Sequence, residues 1–312
     1  MDVFICLDIG GTNIRAALYP HNKLKPVKHI RIPTQGNGQS VEDRILALIE
    51  EIWPKKETVK AISLAAPGYI DAKTGMVISA VNIPGWVMMP LRKIIKWRFQ
   101  VPVFVGNDAR LAALGEWKYG AARGHHDVVY LTISTGVGGG VIINDRLLMG
   151  SRGLATELGH ITLQPDGEMC TCGQKGHLES YSSGKAIENY VIEQLRNGKN
   201  STLSNMEVFS TKDIAKAAKE GDAISKSAFE RAGDYLGIAL ANYLHIFNPS
   251  CIVLGGGVIQ TGDLILQPMR ESLKKHILGK VYEINLTITT AELGDDAGLL
   301  GALAFIKIKK KK

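Results

Sequence analysis

The chain has 312 residues, of which 45% are hydrophobic and 21% charged, and its formal net charge is +7. This apolar content suffices for a folded core and excludes wholesale disorder, and the length is typical of two domains. Five of the last six residues are lysines, and the rest of the chain has 32 basic and 30 acidic residues. The basic character therefore belongs mainly to a C-terminal tail, which we interpret as a solvated end and not as a nucleic-acid-binding surface.

Cysteine usage and the N-terminal sequence predict a soluble cytoplasmic protein. Cys6 and Cys251 lie in apolar, strand-like runs, and four cysteines are too few to staple a secreted fold of this length. The first residues lack the basic and apolar regions of a signal peptide. The chain has no run of about 18 apolar residues, so we expect no membrane span.

Hydrophobic periodicity and turn residues predict strands and helices in alternation, which indicates the α/β class. Two of the predicted strands lead into a glycine turn and a further strand, a pattern that favours two similar halves. In chain order the predicted elements are strands at Val3–Leu7 and Asn13–Tyr19, a helix at Val41–Trp53, strands at Lys60–Ala65 and Val103–Val105, a helix at Ala109–Tyr119, a strand at Val128–Ile133, a long helix at Ala223–Phe247, a strand at Cys251–Leu254, and a last helix that begins after residues 295–298 and runs into the lysine tail.

Three glycine-rich turns each follow an apolar strand, at residues 10–11, 136–140 and 255–257. Glycine allows backbone N–H groups to approach an anion closely. One such turn is compatible with a plain hairpin, but three of them, with Asp8 and Thr12 beside the first, favour a phosphate cradle in which Asp8 holds Mg²⁺. The sequence lacks a Walker A motif, and the second turn fails the dinucleotide-binding fingerprint at its sixth position.

Asp108 lies between a predicted strand end and a predicted helix start. Two roles are open to it. It can cap the helix by accepting a hydrogen bond from a free N–H group. It can also act as a general base that takes the proton from an attacking hydroxyl during phosphoryl transfer.

Two histidines and two cysteines lie within 18 residues in the pattern H-x9-C-x-C-x4-H. Two thiolates and two imidazoles suit tetrahedral Zn²⁺, and a complete set of four protein ligands predicts a structural site. The alternative is a reduced thiol pair on a polar loop. The four candidate ligands are His160, Cys170, Cys172 and His177.

Nine segments in this order resemble the ROK family of repressors, open reading frames and sugar kinases, from residue 3 to about residue 304. They are LDIGGTNIRAALY, LAAPGYID, SAVNIPGW, VGNDARLAALGEW, ISTGVGGGVI, TELGHI, CTCGQKGHLE, NPSCIVLGGGV and DDAGLLGALA. The resemblance implies two actin-like (ribonuclease H-like) α/β domains with an active site in the cleft between them. The small domain would comprise residues 1–118, joined by the C-terminal helix at about 295–312, and the large domain residues 119–294 with the zinc motif.

The resemblance also implies roles for individual residues, with Asp108 as the general base for the sugar 6-hydroxyl. One ring nitrogen of His160 would bind the structural zinc and the other a sugar hydroxyl. The sugar-binding set would be Gly68, Asn82, Asn107, Asp108, Glu157, His160 and Glu179. The ATP-binding set would be Asp8, Gly10, Gly11, Thr12, Asn13, Thr135, Gly136, Gly138, Gly139, Gly255, Gly256 and Gly257.

Two residues depart from the family's pattern. His177 stands where the family has its last cysteine, and because imidazole also ligates zinc we expect a Cys2His2 site. Thr156 replaces the small residue, often glycine, that precedes Glu157. We expect this change to shift the loop that carries Glu157, and with it the preference among sugars.

The implied function is an ATP-dependent hexose kinase that binds Mg²⁺ and forms a homodimer or a dimer of dimers. Glucose is the favoured substrate, and fructose, mannose, N-acetylmannosamine, N-acetylglucosamine and allose are alternatives because their kinases share these motifs. Polyphosphate is an open alternative to ATP as the phosphoryl donor. A sugar-responsive transcriptional regulator of the family is disfavoured because seven residues precede Asp8, and a sugar-binding protein without catalysis because Asp108 and the glycine turns are present.

Overall fold

A computed structural model describes residues 1–36, 38–80 and 82–310, so Val81 of the SAVNIPGW segment and the last two lysines of the tail lie outside the described residues. The strands are β1 (Asp2–Ile9), β2 (Asn13–Pro20), β3 (Lys28–Pro33), β4 (Thr58–Ala66), β5 (Tyr69–Ile70), β6 (Val77–Ser79), β7 (Val87–Met89), β8 (Val103–Asn107), β9 (Val128–Ile133), β10 (Val137–Ile143), β11 (Arg146–Leu147), β12 (Cys251–Gly255) and β13 (Thr287–Thr290). The helices are α1 (Val41–Ile52), α2 (Leu91–Phe99), α3 (Asp108–Tyr119), α4 (Glu179–Ser182), α5 (Gly184–Arg196), α6 (Thr211–Lys219), α7 (Ala223–Phe247), α8 (Asp263–His276) and α9 (Ala297–Lys309).

Each element predicted from the sequence is present, with ends that differ by a few residues at most. The prediction of buried cysteines in strands is also confirmed, because Cys6 and Cys251 are fully buried. Among the described residues, no helix is both long enough and apolar enough to cross a bilayer.

The described residues group into two compact units, and the chain passes between them several times. The first unit comprises Met1–Gly124, Gly140–Thr156 and Glu292–Lys312, and the second comprises His125–Gly139 and Glu157–Ala291. These units differ from the predicted domains chiefly because residues 140–156 belong to the first unit. The predicted boundaries, 1–118 with 295–312 and 119–294, stay a proposal.

The sheet of the first unit has the strand order β3-β2-β1-β4-β8, in which β1, β4 and β8 are parallel. Successive side chains of β1 point to opposite faces of the sheet, and both faces are buried. Val3, Ile5 and Leu7 join the core that includes α1, whereas Phe4 lies on the other face, towards α9. Helix α9 packs against α3, β1 and β4, so the C-terminal segment completes the layer over this sheet.

The second sheet has the strand order β11-β10-β9-β12-β13, and the chain passes from the second unit to the first within β10. Its strand order repeats that of the first sheet. In each sheet a glycine turn joins two adjacent strands, β1 to β2 in the first and β9 to β10 in the second. Two further strands lie on the other side of the first strand of that pair, namely β4 and β8 beyond β1, and β12 and β13 beyond β9. The prediction of two similar halves is therefore confirmed. In the second unit α7 packs closely on α8, since an added Cβ at Gly237 would lie 2.5 Å from the carbonyl oxygen of Met269.

The fully buried carboxylate of Glu116 joins α3 to the segment that leads into α9. Its oxygens accept hydrogen bonds from the N–H groups of Ala121 at 2.9 Å, Glu292 at 3.2 Å and Leu293 at 2.9 Å. The side chain therefore satisfies three backbone donors that would otherwise lack a partner in the interior.

We expect Glu116→Ala to lower the free energy of unfolding by about 3 kcal/mol or more, because it leaves buried donors unsatisfied. Urea unfolding followed by circular dichroism measures the change. Glu50→Ala, which removes an exposed partner of Arg98, is the control and should cost less than about 1 kcal/mol. Equal losses in the two variants would contradict the role assigned to Glu116.

Candidate functional site

The candidate site residues of the first unit gather at one edge of its sheet. Asp8 lies near the end of β1 opposite Ala65 of β4, and Asn107 ends β8 opposite Ala66. Because β1, β4 and β8 are parallel, their carboxyl ends share this edge, which is where ligands bind in open α/β sheets. The structure thus brings Asp8 together with Asn107 and the adjoining Asp108.

Helix α3 is capped by Asn107 and not by Asp108. The Asn107 side chain accepts a hydrogen bond from the N–H of Arg110 at 3.1 Å and donates one to the carbonyl of Gly68 at 3.2 Å. Asp108 is the first helical residue, and its Oδ1 accepts a hydrogen bond from the N–H of Ala109 at 2.8 Å. The capping role considered for Asp108 therefore falls to its neighbour.

The carboxyl group of Asp108 is an unusually weak acid. Burial, together with the negative charge of Asp8, raises the pKa of Asp108 to about 7, although the N–H of Ala109 and the charge of Arg110 oppose the shift. A carboxyl group that exchanges its proton near neutral pH is suited to general base catalysis.

Asp8 is held by an ion pair that the sequence analysis missed. Arg15 donates to Oδ2 of Asp8 at 2.6 Å and to the carbonyl of Asp295 at 2.5 Å. Burial raises the pKa of Asp8, and Arg15 opposes this effect. Gly298 leaves room for the carboxylate, since a Cβ there would lie 2.6 Å from Cγ of Asp8. This ion pair could have been predicted from the hairpin, because the hairpin register places Arg15 directly opposite Asp8.

The glycine turn between β1 and β2 is closed by backbone hydrogen bonds. The N–H of Gly10 donates to the carbonyl of Asn13 at 2.9 Å. Thr34 fastens the turn from outside, because its N–H donates to the carbonyl of Thr12 at 2.9 Å and its hydroxyl to that of Gly10 at 2.6 Å. Three hydrogen bonds therefore hold the conformation of this turn.

Two further predicted site residues of the first unit, Asn82 and Gly68, lie in close contacts that depend on a glycine. A Cβ at Gly11 would lie 3.5 Å from Cβ of Asn82, which places Asn82 beside the glycine turn. Gly68 has a φ of +86°, and a Cβ there would lie 2.1 Å from the carbonyl oxygen of Ser79. Glycine is therefore required at position 68.

Two glycine turns of the second unit meet at the carboxyl ends of the parallel strands β9 and β12. The N–H of Val258 donates to the carbonyl of Ile133 at 3.1 Å. Gly256 has a φ of +92°, and a Cβ there would lie 2.2 Å from the Ile133 oxygen, so a larger residue cannot replace it. The structure thus places residues 135–139 beside residues 255–257.

Glu179 joins the second glycine turn to the His-Cys segment. Its Oε2 accepts a hydrogen bond from the N–H of Val137 at 2.9 Å, and its Oε1 accepts one from the hydroxyl of Thr171 at 2.7 Å. A Cβ at Gly136 would lie 2.6 Å from Oε2, so the glycine makes room for this carboxylate. The family resemblance implied a sugar contact for Glu179, but neither it nor the sequence predicted this link.

The side chains of His160, Cys170, Cys172 and His177 converge, with their potential ligand atoms all within 4.8 Å of one another. Nδ1 of His160 lies 3.7 Å from Sγ of Cys170, and Nδ1 of His177 lies 3.3 Å from Sγ of Cys172. A tetrahedral zinc ion with its usual bonds to nitrogen and sulfur spaces its ligands roughly 3.6 Å apart. The four side chains therefore fit a Cys2His2 zinc site, including His177 in the place of the family's cysteine.

The backbone around the His-Cys cluster is shaped by a glycine that cannot be replaced. Gly176 has a φ of +76°, and a Cβ there would lie 1.7 Å from the carbonyl oxygen of Gln164. The adjoining His177 is buried, and burial, followed by the charge of His160, lowers its pKa. The lowered pKa favours the neutral imidazole that metal binding requires.

Glu157 and His160 lie at the two ends of one short turn, in which the N–H of His160 donates to the carbonyl of Glu157 at 3.0 Å. Thr156, which departs from the family's pattern, precedes this turn and has a φ of +70°. A β-branched residue is strained in this left-handed conformation. Its hydroxyl oxygen also has no hydrogen-bond partner among the described residues.

We expect Thr156→Gly to raise the free energy of unfolding by about 1 kcal/mol, because relief of the strain exceeds the entropy cost of a glycine in the unfolded chain. Thermal unfolding with and without glucose measures the effect. Asn285→Gly is the control, since asparagine tolerates its φ of +58° and the change should be within about 0.5 kcal/mol. A destabilised Thr156→Gly variant would show that the threonine is not strained.

Comparisons with known proteins agree over nearly the whole chain. The ROK family profile matches residues 4–309. The glucokinase of Streptomyces coelicolor is 34% identical over 97% of this chain and 96% of its own. The crystal structure of a ROK family glucokinase from Streptomyces griseus in complex with glucose and AMPPNP is also 34% identical, with a TM-score of 0.81 over 97% of this chain and 98% of its own. A ROK family transcriptional regulator, a homologue of the E. coli MLC protein, has a TM-score of 0.86 at 28% identity, over 98% of this chain and 78% of its own. With this extent of similarity, the chain belongs to the ROK family and has the family's two actin-like α/β domains.

Proposed function

We propose that this chain is an ATP-dependent hexose kinase that transfers the γ-phosphate to the 6-hydroxyl of glucose. The observation that carries the proposal is Asp108, a carboxylate at a strand end that does not cap its helix and whose pKa is raised to about 7. The similarity to glucokinases, one of them in complex with glucose and AMPPNP, supports the choice of both substrates.

In the proposed reaction Asp108 accepts the proton of the sugar 6-hydroxyl. The oxygen forms a bond to the γ-phosphorus of ATP while the bond from that phosphorus to the bridging oxygen breaks, so that ADP leaves. Asn107 supports this step indirectly, because it caps α3 and leaves the neighbouring carboxylate available to the substrate. The sugar contacts proposed in the first unit are Gly68, Asn82, Asn107 and Asp108, and in the second unit Glu157, His160 and Glu179.

The glycine turns are the proposed binding elements for ATP, because their backbone N–H groups suit phosphate oxygens. In the first unit the turn comprises residues 10–13, and in the second the residues are 135–139 and 255–257. Asp8 suits Mg²⁺, since a carboxylate oxygen is a hard ligand and the pairing of Arg15 is with Oδ2. When bound with ATP, Mg²⁺ would neutralise charge on the phosphates.

The proposed zinc ion is structural and would hold the segment of residues 160–177 in place. Nδ1 of His160 faces the sulfur of Cys170, so Nε2 lies on the opposite side of the ring and is the nitrogen proposed to donate to a sugar hydroxyl. Coordination through Nδ1 would fix both the tautomer and the orientation of the ring.

ADP release, measured with purified protein across glucose, fructose, mannose, N-acetylmannosamine, N-acetylglucosamine and allose, tests the function. We expect glucose to have the highest kcat/KM and the product to be the 6-phosphate. A parallel series with polyphosphate in place of ATP should release less product. ADP release with another hexose at higher kcat/KM would reassign the substrate, and none with any hexose would overturn the kinase proposal.

The proposal includes a homodimer, or a dimer of dimers, in the cytoplasm. Sedimentation equilibrium at several protein concentrations should give twice or four times the chain mass of 33.8 kDa. A single species of the chain mass at all concentrations would contradict the proposed assembly.

A further inference from the structure

A cavity of about 930 Å³ lies within the first unit. Its volume is in the range of small-molecule binding sites. Apolar and aromatic side chains of β1, α3 and α9 line its wall, and basic side chains of α3, α9 and β11 lie around them. The lining includes Phe4, Tyr119, Asp145, Arg146, Phe305 and Lys307, with the neighbouring Lys309 and Lys310.

Four cationic side chains of this cavity have no carboxylate partner among residues 1–36, 38–80 and 82–310. Within the described part of the chain, no carboxylate oxygen lies within 4.0 Å of the side-chain nitrogens of Arg146, Lys307, Lys309 or Lys310. Three of them lie over aromatic rings instead, which stabilises a cation without neutralising it. The pairs are Lys307 with Tyr119 at 5.6 Å, Lys309 with Phe305 at 5.2 Å and Lys310 with Phe4 at 5.1 Å.

The cavity lies at the end of the first unit that is opposite to Asp8. Along β1, Phe4 precedes Asp8 by four residues, or about 13 Å of strand. Along α9, Lys307 follows Gly298, which contacts Asp8, by nine residues, or about 14 Å of helix. Asp8 is therefore not part of the lining of this cavity.

We propose that this cavity binds a small organic phosphate with two or more negative charges and an aromatic or apolar group. Ammonium and guanidinium groups suit phosphate oxygens, and five cationic residues against the one carboxylate of Asp145 in this lining favour a multivalent anion. The aromatic rings of Phe4, Tyr119 and Phe305 line a concave space, which favours a small molecule over a nucleic-acid backbone on an open surface. The site is independent of the proposed kinase activity.

Fluorescence titration of the full-length chain with pyrene tetrasulfonate, an aromatic tetraanion whose sulfonates substitute for phosphates, tests the site. We expect saturable binding. Arg146→Gln/Lys307→Gln should weaken binding about tenfold or more, the effect of losing one or two charge-assisted hydrogen bonds. Arg146→Gln alone, at an exposed position, should weaken it about threefold.

Lys93→Gln/Lys96→Gln is the matched control, because it removes the same charge from exposed positions of α2. Its affinity for the probe should stay within about twofold of the wild type. Equal weakening by both pairs of substitutions, or an absence of saturable binding, would overturn the proposal. A short single-stranded DNA can be added as a competitor in place of the variants. If it displaces the probe at a concentration below the Kd of pyrene tetrasulfonate, the cavity is instead part of a nucleic-acid-binding surface.

Discussion

Replacement of Asp108 by Asn is expected to lower kcat by about three orders of magnitude, while glucose binding stays measurable by calorimetry. Asn keeps an oxygen that can accept the hydrogen bond from the N–H of Ala109, so the start of α3 is preserved. It cannot accept the proton of the attacking hydroxyl. Asp263→Asn is the matched control, because Asp263 is also the first residue of a helix but is exposed, and its rate should be unchanged. A rate of Asp108→Asn near that of the wild type would exclude Asp108 as the base.

The same carboxyl group predicts a pH dependence. Its pKa is raised to about 7, and the base must be ionised, so kcat/KM for glucose should rise with pH through about pH 7. The stability effect has the opposite sign. Because the folded protein holds this proton more tightly than the unfolded chain, the contribution of Asp108 to stability is lost as pH rises through the folded pKa. Asp108→Asn should therefore unfold at a higher temperature than the wild type at pH 8, and a lower melting temperature would contradict the raised pKa.

Loss of a zinc ligand is the second change with a large expected effect. The wild-type chain should contain about one zinc ion by elemental analysis, and Cys172→Ser should contain almost none. Without the metal, His160 and the segment of residues 160–177 lose their common anchor. We expect the free energy of unfolding to fall by about 3 kcal/mol or more and kcat/KM to fall about tenfold to a hundredfold.

Two variants separate the metal effect from a general effect of cysteine replacement. Cys251→Ala removes a buried thiol in β12 and should retain the zinc, although it destabilises the core. His177→Cys creates the family's cysteine set and should retain one zinc with slower loss to a chelator. A metal-free preparation with full activity would rule out a zinc requirement.

Much of the fold was predictable because its signals are local. The strands β1, β9 and β12 are mainly apolar runs that lead into glycine-rich turns, and α7 has apolar residues at helical spacing over 25 residues. Strand β3 was not predicted, because its charged residues alternate with half-buried isoleucines at a sheet edge. Helix α8 was missed because Pro268 lies within it.

The candidate site was predictable as a set of residues but not as a set of contacts. The spacing of His160, Cys170, Cys172 and His177 sufficed to predict their convergence, since all four lie on one short segment. The assignment of the α3 cap to Asn107 instead of Asp108 depends on backbone angles at the strand end, which the sequence does not specify. The hydrogen bond from Val137 to Glu179 joins residues 42 positions apart, so it follows from tertiary packing alone.

The first unit is formed by three separate segments of the chain, and this has a consequence for biosynthesis. A ribosome completes residues 157–291 of the second unit before it adds α9, in which residues 297–306 are all buried. Until then the face of β1 that carries Phe4 and Cys6 lacks its cover. We therefore expect the second unit to become protease-resistant first on the nascent chain. The first unit should need chaperone protection although its opening strands are the earliest to emerge.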